Sequence, residues 1–257
     1  MGHLFVVVGK SATGKDTIVG RLLDRLGVES LVPYTTRPMR PGEVDGVTYN
    51  FVDEEFLNKE FEKDNILECR SYTTVHGVWS YFELVSQLEP SKDYILVVSY
   101  DGWLNIQKKL EGNANVEAVP LYIWVDSYNR ILRSLNRTRD SGACDYSEVC
   151  ARYLREEALY TDEEAMKGIQ HCFCNEDLDE TVSDIENLLV QEYGVNKQKE
   201  LEVDWEAPCP DEETIERIRE MFSEDNVEET LANWVNILAQ EIDKQAQKEL
   251  KGETNPC

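Results

Sequence analysis

Residues Leu4 to Val8 form a short unbroken apolar run rich in valine, and a glycine-bounded loop and an amphipathic segment follow at once. Such a run fits a parallel strand buried on both faces. Downstream, Ile18, Leu22, Leu23 and Leu26 recur at helical spacing, and Gly27 is expected to stop the helix. Between the two stands Gly9-Lys10-Ser11-Ala12-Thr13-Gly14-Lys15-Asp16. Two glycines and a lysine at this spacing make a phosphate-binding P-loop. Glycines let the backbone curl so that successive N–H groups face one phosphate. The helix beginning near Lys15 adds its positive dipole end, and Lys15 reaches the outer phosphates. The flanking strand and helix separate this reading from an ordinary glycine-rich turn. Ser or Thr usually follows the lysine and helps to bind Mg²⁺. Here Asp16 follows, then Thr17, and either offers an oxygen ligand.

Further strand-like runs are Tyr94 to Val98, Leu121 to Val125 and, more weakly, His171 to Cys174. Helical stretches lie between them at about 102–111, 127–136, 146–160 and 178–192. Strands alternating with helices predict an α/β fold with a mainly parallel sheet. The stretch 31–90 breaks the pattern with turn signals at Pro38, Pro41-Gly42 and Asp45-Gly46 and reads as a small lobe carried by the sheet. From about residue 196 the chain becomes charge-dense, with 7 Lys/Arg against 17 Asp/Glu, and Pro208 and Pro210 interrupt it. Two helices are expected there, one with Ile215, Ile218 and Phe222, the other with Val227, Leu231, Trp234, Leu238 and Ile242 on one side. Packing onto their own domain is favoured over a partner-binding face, since a lone helical pair holds little core. The expected division is therefore a domain over 1–195 and an acidic extension over 196–257.

With 26 Lys+Arg against 51 Asp+Glu the net charge is −25. That balance argues against nucleic acid and anionic membrane surfaces as partners. It also makes each basic cluster informative, because any anionic ligand must be held against the global field. Seven cysteines show no framework spacing, which suggests reduced thiols and a cytoplasmic location. Cys172-x-Cys174 is expected to supply one core and one outer thiol rather than a metal site. The N-terminus has no signal-peptide pattern, and no apolar run approaches the ~20 residues of a membrane span.

The next basic cluster lies in Tyr34-Thr35-Thr36-Arg37-Pro38-Met39-Arg40-Pro41-Gly42-Glu43-Val44-Asp45-Gly46-Val47-Thr48-Tyr49-Asn50-Phe51. Two arginines three residues apart, stiffened by prolines, suit an anion held in fixed geometry, because Arg binds phosphate oxygens through paired donors. The segment closely resembles the guanylate kinase signature TTRxxRxGExxGxxYxF, matched at Thr35, Thr36, Arg37, Arg40, Gly42, Glu43, Gly46, Tyr49 and Phe51. The resemblance extends over roughly 4–192. It implies a three-layer P-loop NTPase fold with an inserted monophosphate-binding lobe and a helical lid at about 130–155. It implies that ATP sits on the loop with Mg²⁺ and that a nucleoside monophosphate is the second substrate.

By the same resemblance, Thr35, Arg37, Arg40 and Tyr49 hold the monophosphate, and Glu68 hydrogen-bonds the guanine edge. Asp101 matches the second acid of a DxD strand end, with Ser99 at the first. Arg133, Arg137 and Arg152, with Arg139 as an extra candidate, match lid arginines that close over the transferring phosphoryl group. Asn175 opens a stretch resembling NDDLD, near the adenine. The chain departs from the pattern in the base-binding lobe. Pro33 replaces a serine, and His76-Gly77-Val78 stands where a tyrosine-glycine-serine is usual. Val78 has no hydroxyl for the guanine carbonyl, and Arg70, Tyr72, Thr73 or Thr74 are the candidate replacements. The expected activity is phosphorylation of GMP or dGMP. A monophosphate kinase of other base preference and a non-catalytic interaction module are the rivals. Lys15 and the lid arginines, which such modules usually lose, argue against the last.

Overall fold

The computed structural model describes residues 2–74, 77–142 and 146–198. His76 and the expected helices of the acidic extension lie outside the described residues. The first strand, β1 (Gly2–Val8), runs into the glycine loop and then α1 (Lys15–Arg25), which ends one residue before the expected Leu26. Two-residue strands follow: β2 (Glu29–Ser30), β3 (Tyr34–Thr35) and β4 (Asn50–Phe51). Then come α2 (Glu54–Glu62), β5 (Ile66–Thr74), β6 (Gly77–Leu84), β7 (Tyr94–Val98), α3 (Tyr100–Leu110) and β8 (Val116–Trp124). The chain continues with α4 (Ser127–Asp140), α5 (Ser147–Leu159), α6 (Asp162–Gly168), β9 (His171–Cys174) and α7 (Leu178–Tyr193).

The central sheet has the order β2-β7-β1-β8-β9, and every pairing in it is parallel. Alternate side chains of β1 enter two separate cores. Leu4, Val6 and Val8 pack with Trp103, Ile106 and Leu110 of α3 and with Ala165 of α6. Phe5 and Val7 pack with Ile18 and Leu22 of α1 and with Val182, Ile185 and Leu189 of α7. This is the three-layer α/β arrangement that the unbroken apolar run of β1 requires, since both of its faces must be covered. β8 begins five residues before the expected Leu121 and carries Pro120 within it.

The stretch 31–90 forms its own four-stranded sheet in the order β4-β3-β6-β5, with α2 against one face through Leu57, Phe82 and Leu84. Cys172 and Cys174 are both half-buried free thiols. The expected division into one core and one outer thiol does not hold, because residues two apart on a strand share a face. Among the described residues no helix is long and apolar enough to cross a membrane.

Candidate active site

The loop between β1 and α1 leaves ordinary backbone geometry at three points: Gly9 at φ 155°, Ala12 at 65° and Gly14 at 94°. Gly9 and Gly14 also have no room for a side chain. A Cβ on Gly9 would stand 2.2 Å from the Ile123 carbonyl oxygen, and one on Gly14 2.3 Å from Asn175 Nδ2. Asn175, buried at the end of β9, donates from Nδ2 to the Thr13 carbonyl at 2.7 Å. Its own carbonyl accepts from Arg133 Nη2 at 2.8 Å. It therefore braces both the loop and Arg133 of α4. Thr13 donates its hydroxyl to the Lys10 carbonyl at 3.0 Å, and Lys15 Nζ donates to the same oxygen at 2.8 Å.

Lys15, Asp16, Thr17, Ala12 and Gly14 line a cavity of about 210 Å³ together with Arg133 and Arg137 of α4. Three positive groups thus converge at the N-terminus of α1, where the helix dipole already favours an anion. Desolvation inside the loop pushes the Lys15 ammonium down to about 8. Arg130 and Arg137 add to the shift, while Asp16 and Glu156 oppose it. Asp16 and Thr17 are exposed on the first helical turn.

Lys10 is placed differently from its neighbours. Its side chain is buried and pairs with Glu157 at 3.0 Å and Asp162 at 3.2 Å, beneath the Tyr160 ring. Only its backbone contributes to the loop. Ser11 turns to α5, where its amide donates to both oxygens of Glu156 at 3.1 Å. Arg130, 3% exposed, joins Glu156 at 2.9 Å and also bonds Glu157. Arg152 is exposed on α5, 3.8 Å from Glu148, and does not line the Lys15 cavity. Arg139 is also exposed and pairs with Asp140 at 3.0 Å.

In the lobe, Arg37 is 4% exposed, and its donations to Glu43, Tyr81 and the Pro38 carbonyl leave one Nη2 N–H uncommitted. Its Nη2 and Nη1 donate to Glu43 at 2.6 and 3.0 Å, and its Nε donates to the Tyr81 hydroxyl at 3.2 Å. The guanidinium lies 5.4 Å from the centre of the Tyr49 ring. The Glu43 fork raises the Arg37 pKa further, and Glu43 is itself held below its ordinary value. Arg40 is exposed, and its amide donates to Glu43 at 2.7 Å. Thr35 is buried, with its hydroxyl on the Ser80 carbonyl at 3.0 Å, so it shapes the turn before Arg37.

Beside this anchor, Pro33, Tyr49, Arg70, Tyr72, Trp79, Tyr81 and Glu83 line a cavity of about 440 Å³. Glu68 is buried behind Arg70, which donates to it from Nε at 3.2 Å. The missing side chain of Gly102 makes space for Glu68, since a Cβ there would stand 3.0 Å from Glu68 Oε1. Asp101, exposed, precedes that glycine in the first turn of α3. Glu43, Tyr81 and Arg130 had no role assigned from sequence. Glu43 sits within the signature, and Arg130 lies one helical turn before Arg133, so both had a local signal. Tyr81 had none, because it meets Arg37 only through the pairing of β3 with β6.

Residues 1–192 match the family model described as guanylate kinase. The guanylate kinase of Zymomonas mobilis is 29% identical over 193 residues, covering 74% of this chain and 84% of that protein. The guanylate kinase of Thermotoga maritima is 35% identical over 134 residues, covering 51% of this chain and 64% of that protein. The crystal structure of guanylate kinase from Anaplasma phagocytophilum is similar at a TM-score of 0.49 and 22% identity, covering 74% of this chain and 86% of that one.

Proposed function

The chain belongs to the guanylate kinase family, and we propose that it transfers the γ-phosphoryl group of ATP to the phosphate of GMP or dGMP. One observation carries the reading of the site. The chain has two separate basic clusters able to anchor an anion, Lys15 with Arg133 and Arg137 at the start of α1, and Arg37 beside Tyr49 and Tyr81 in the lobe. A donor and an acceptor phosphate need two such anchors.

Phosphoryl transfer asks little covalent chemistry of the protein, so positioning and charge neutralisation carry the rate. The loop amides and Lys15 hold the donor phosphates. Arg37, fixed by the Glu43 fork, holds the acceptor phosphate with Arg40 and Tyr49. Arg133 and Arg137 neutralise charge that spreads over the transferring group, with Arg152 joining on lid closure. Closure excludes water and so limits hydrolysis. No general base is needed, since the acceptor phosphate is already anionic.

The donor set suits Mg²⁺. Asp16 and Thr17 offer oxygens beside Lys15, and no group of three or more His, Cys, Asp or Glu gathers among the described residues. One carboxylate and one hydroxyl leave room for phosphate oxygens and water, as Mg²⁺ prefers. Asp16 or Thr17 would hold the ion, which when bound supplies countercharge to the outer phosphates. Glu68 and Asp101 are the proposed contacts to the base edge, and Asn175 braces the ATP loop. A catalytic unit over 1–195 then carries the acidic extension 196–257, in the reducing cytoplasm that seven unpaired-pattern cysteines suit.

The test is a coupled assay of ADP formation with Mg·ATP and a panel of monophosphates. Turnover with GMP and dGMP is expected. Turnover with AMP or CMP but not with GMP or dGMP would sink the assignment, and no acceptor-dependent turnover would sink the kinase.

A further inference from the structure

The register of β5 and β6 pairs Glu68 with Glu83, Arg70 with Tyr81 and Tyr72 with Trp79. Residues two apart on a strand share a face. One side of this hairpin therefore presents two carboxylates, a guanidinium and three aromatic rings. Glu83 and Arg70 line the 440 Å³ cavity among the rings of Tyr49, Tyr72, Trp79 and Tyr81. Glu68 and Glu83 are 3% and 4% exposed. Arg70 is tied to Glu68, but Glu83 Oε2 has no hydrogen-bond partner. A buried carboxylate oxygen left unpaired is costly, and such a group in a cavity calls for a ligand donor that completes it. Burial first, and then the charge of Glu68, push the Glu83 carboxyl up to about 7, with Arg70 opposing.

The cavity selects one edge of a planar ring. Its aromatic walls fit a heterocycle. Carboxylates accept from N–H groups, and a guanidinium donates to a carbonyl. Guanine presents an imino N1–H and a 2-amino group beside the O6 acceptor. Adenine places an amino donor where O6 stands and a bare nitrogen in place of N1–H, so it would face Arg70 donor to donor.

We propose that Glu83 is a second specificity-determining carboxylate, accepting from the 2-amino group of guanine while Glu68 accepts from N1–H, and that Arg70 donates to O6 in place of the hydroxyl that Val78 lacks. This rests on the guanylate kinase reading. Tyr49 and Tyr81 border both the cavity and the Arg37 guanidinium, so one nucleotide spans the base and phosphate ends.

Calorimetric binding to the full chain without ATP tests the proposal, with GMP, IMP (no 2-amino group) and 2-aminopurine riboside monophosphate (neither O6 nor N1–H) as probes. The unaltered chain binds GMP more tightly than either analogue. Glu83→Gln keeps the shape and weakens GMP binding roughly ten- to hundredfold, as expected for one hydrogen bond to a charged group, while IMP binding changes little. Arg70→Met narrows the preference for GMP over the O6-free analogue by a similar factor, and the remainder comes from the N1–H that this analogue also lacks. Preferences that neither substitution reduces overturn the proposal. So does an unaltered chain that binds IMP as tightly as GMP, a result that depends on no variant folding. Lack of turnover with this binding pattern intact would sink the kinase reading alone.

Discussion

The amide of Ser11, in the phosphate loop, donates to both carboxylate oxygens of Glu156 at 3.1 Å, and the Ser11 hydroxyl bonds the same group. Glu156 lies on α5, so the loop and that helix are joined directly. The joint is backed by Arg130, whose 3% exposure makes the Glu156 pair largely desolvated. Without Glu156, Arg130 keeps only Glu157 and the Ser11 amide loses its acceptor. Glu156→Ala is expected to destabilise the chain by about 2 kcal/mol, a fall in Tm of roughly 4–8 °C. Thermal unfolding measures it. In the double variant with Arg130→Met much of the loss should return, and a purely additive double variant would show that the two groups do not act as a pair.

Lys15 provides a pH signature. Its ammonium is pushed down to about 8 from 10.5. It must be charged to hold the outer phosphates, so kcat/KM for ATP, which reports the free enzyme, should fall as pH rises through about 8. Stability moves the other way. Between about 8 and 10.5 the unfolded chain binds more protons than the folded one, so Lys15 makes the fold more stable as pH rises. An activity loss accompanied by unfolding in that window would count against Lys15 as its origin. Lys15→Met should abolish transfer while leaving GMP binding intact.

What the sequence revealed follows the range of the interactions. The glycine loop, the Arg37–Tyr49 signature and the β1 core run are encoded within a few residues each. The helix α6 also had a local signal, the Thr161-x-x-Glu164 capping box, with Thr161 accepting from the Glu164 amide at 3.2 Å. It was missed because seven residues carry too little periodicity. α2 is capped likewise, by Asp53 at 2.8 Å from the Phe56 amide. The long hairpin of β5 and β6 was hidden because its alternation places charged and aromatic residues, not a simple apolar stripe, on one face. Contacts made only by folding were out of reach: Tyr81 with Arg37, Arg130 with Glu156, and Lys10 turned into an acidic cluster. A motif fixes the backbone path of Lys10, but its side chain goes to the carboxylates that α5 and α6 supply.

Glu43 acts through Arg37. It occupies both terminal nitrogens of that guanidinium and the Arg40 amide. Glu43→Gln keeps the size and removes the charge-assisted fork, so the orientation of Arg37 loosens. KM for GMP should rise about tenfold, as for loss of a hydrogen bond to a charged group, with KM for ATP unchanged within about twofold. An equal rise in both constants would point to a general loss of structure instead.

Asp16 and Thr17 are separable by Mg²⁺ dependence. Both are exposed at the mouth of the Lys15 cavity. If Asp16 supplies the oxygen, Asp16→Ala should raise the Mg²⁺ concentration needed for half-maximal turnover about tenfold, and Thr17→Ala should leave it unchanged. The reverse pattern would move the contact to Thr17. Removing Asp16 also takes one negative charge from beside the triphosphate site, so at saturating Mg²⁺ the variant should bind ATP at least as tightly as the unaltered chain.

Glu83 predicts a slope in stability. Its carboxyl is raised from 4.5 to about 7 by burial and by Glu68, with Arg70 opposing. Between those values the folded chain holds a proton that the unfolded chain has released. The stabilisation is therefore full below about pH 4.5 and is lost as pH rises through about 7. Its upper bound is about 3 kcal/mol, from 1.36 kcal/mol per unit. Glu83→Gln never ionises, so this component of the slope should vanish. Denaturant titrations at pH 5 and pH 8 compare the two chains. The variant should gain on the unaltered chain at pH 8 and gain less, or nothing, at pH 5. A parallel pH dependence in both would show that Glu83 is ionised throughout, paired with Arg70 rather than waiting for a ligand.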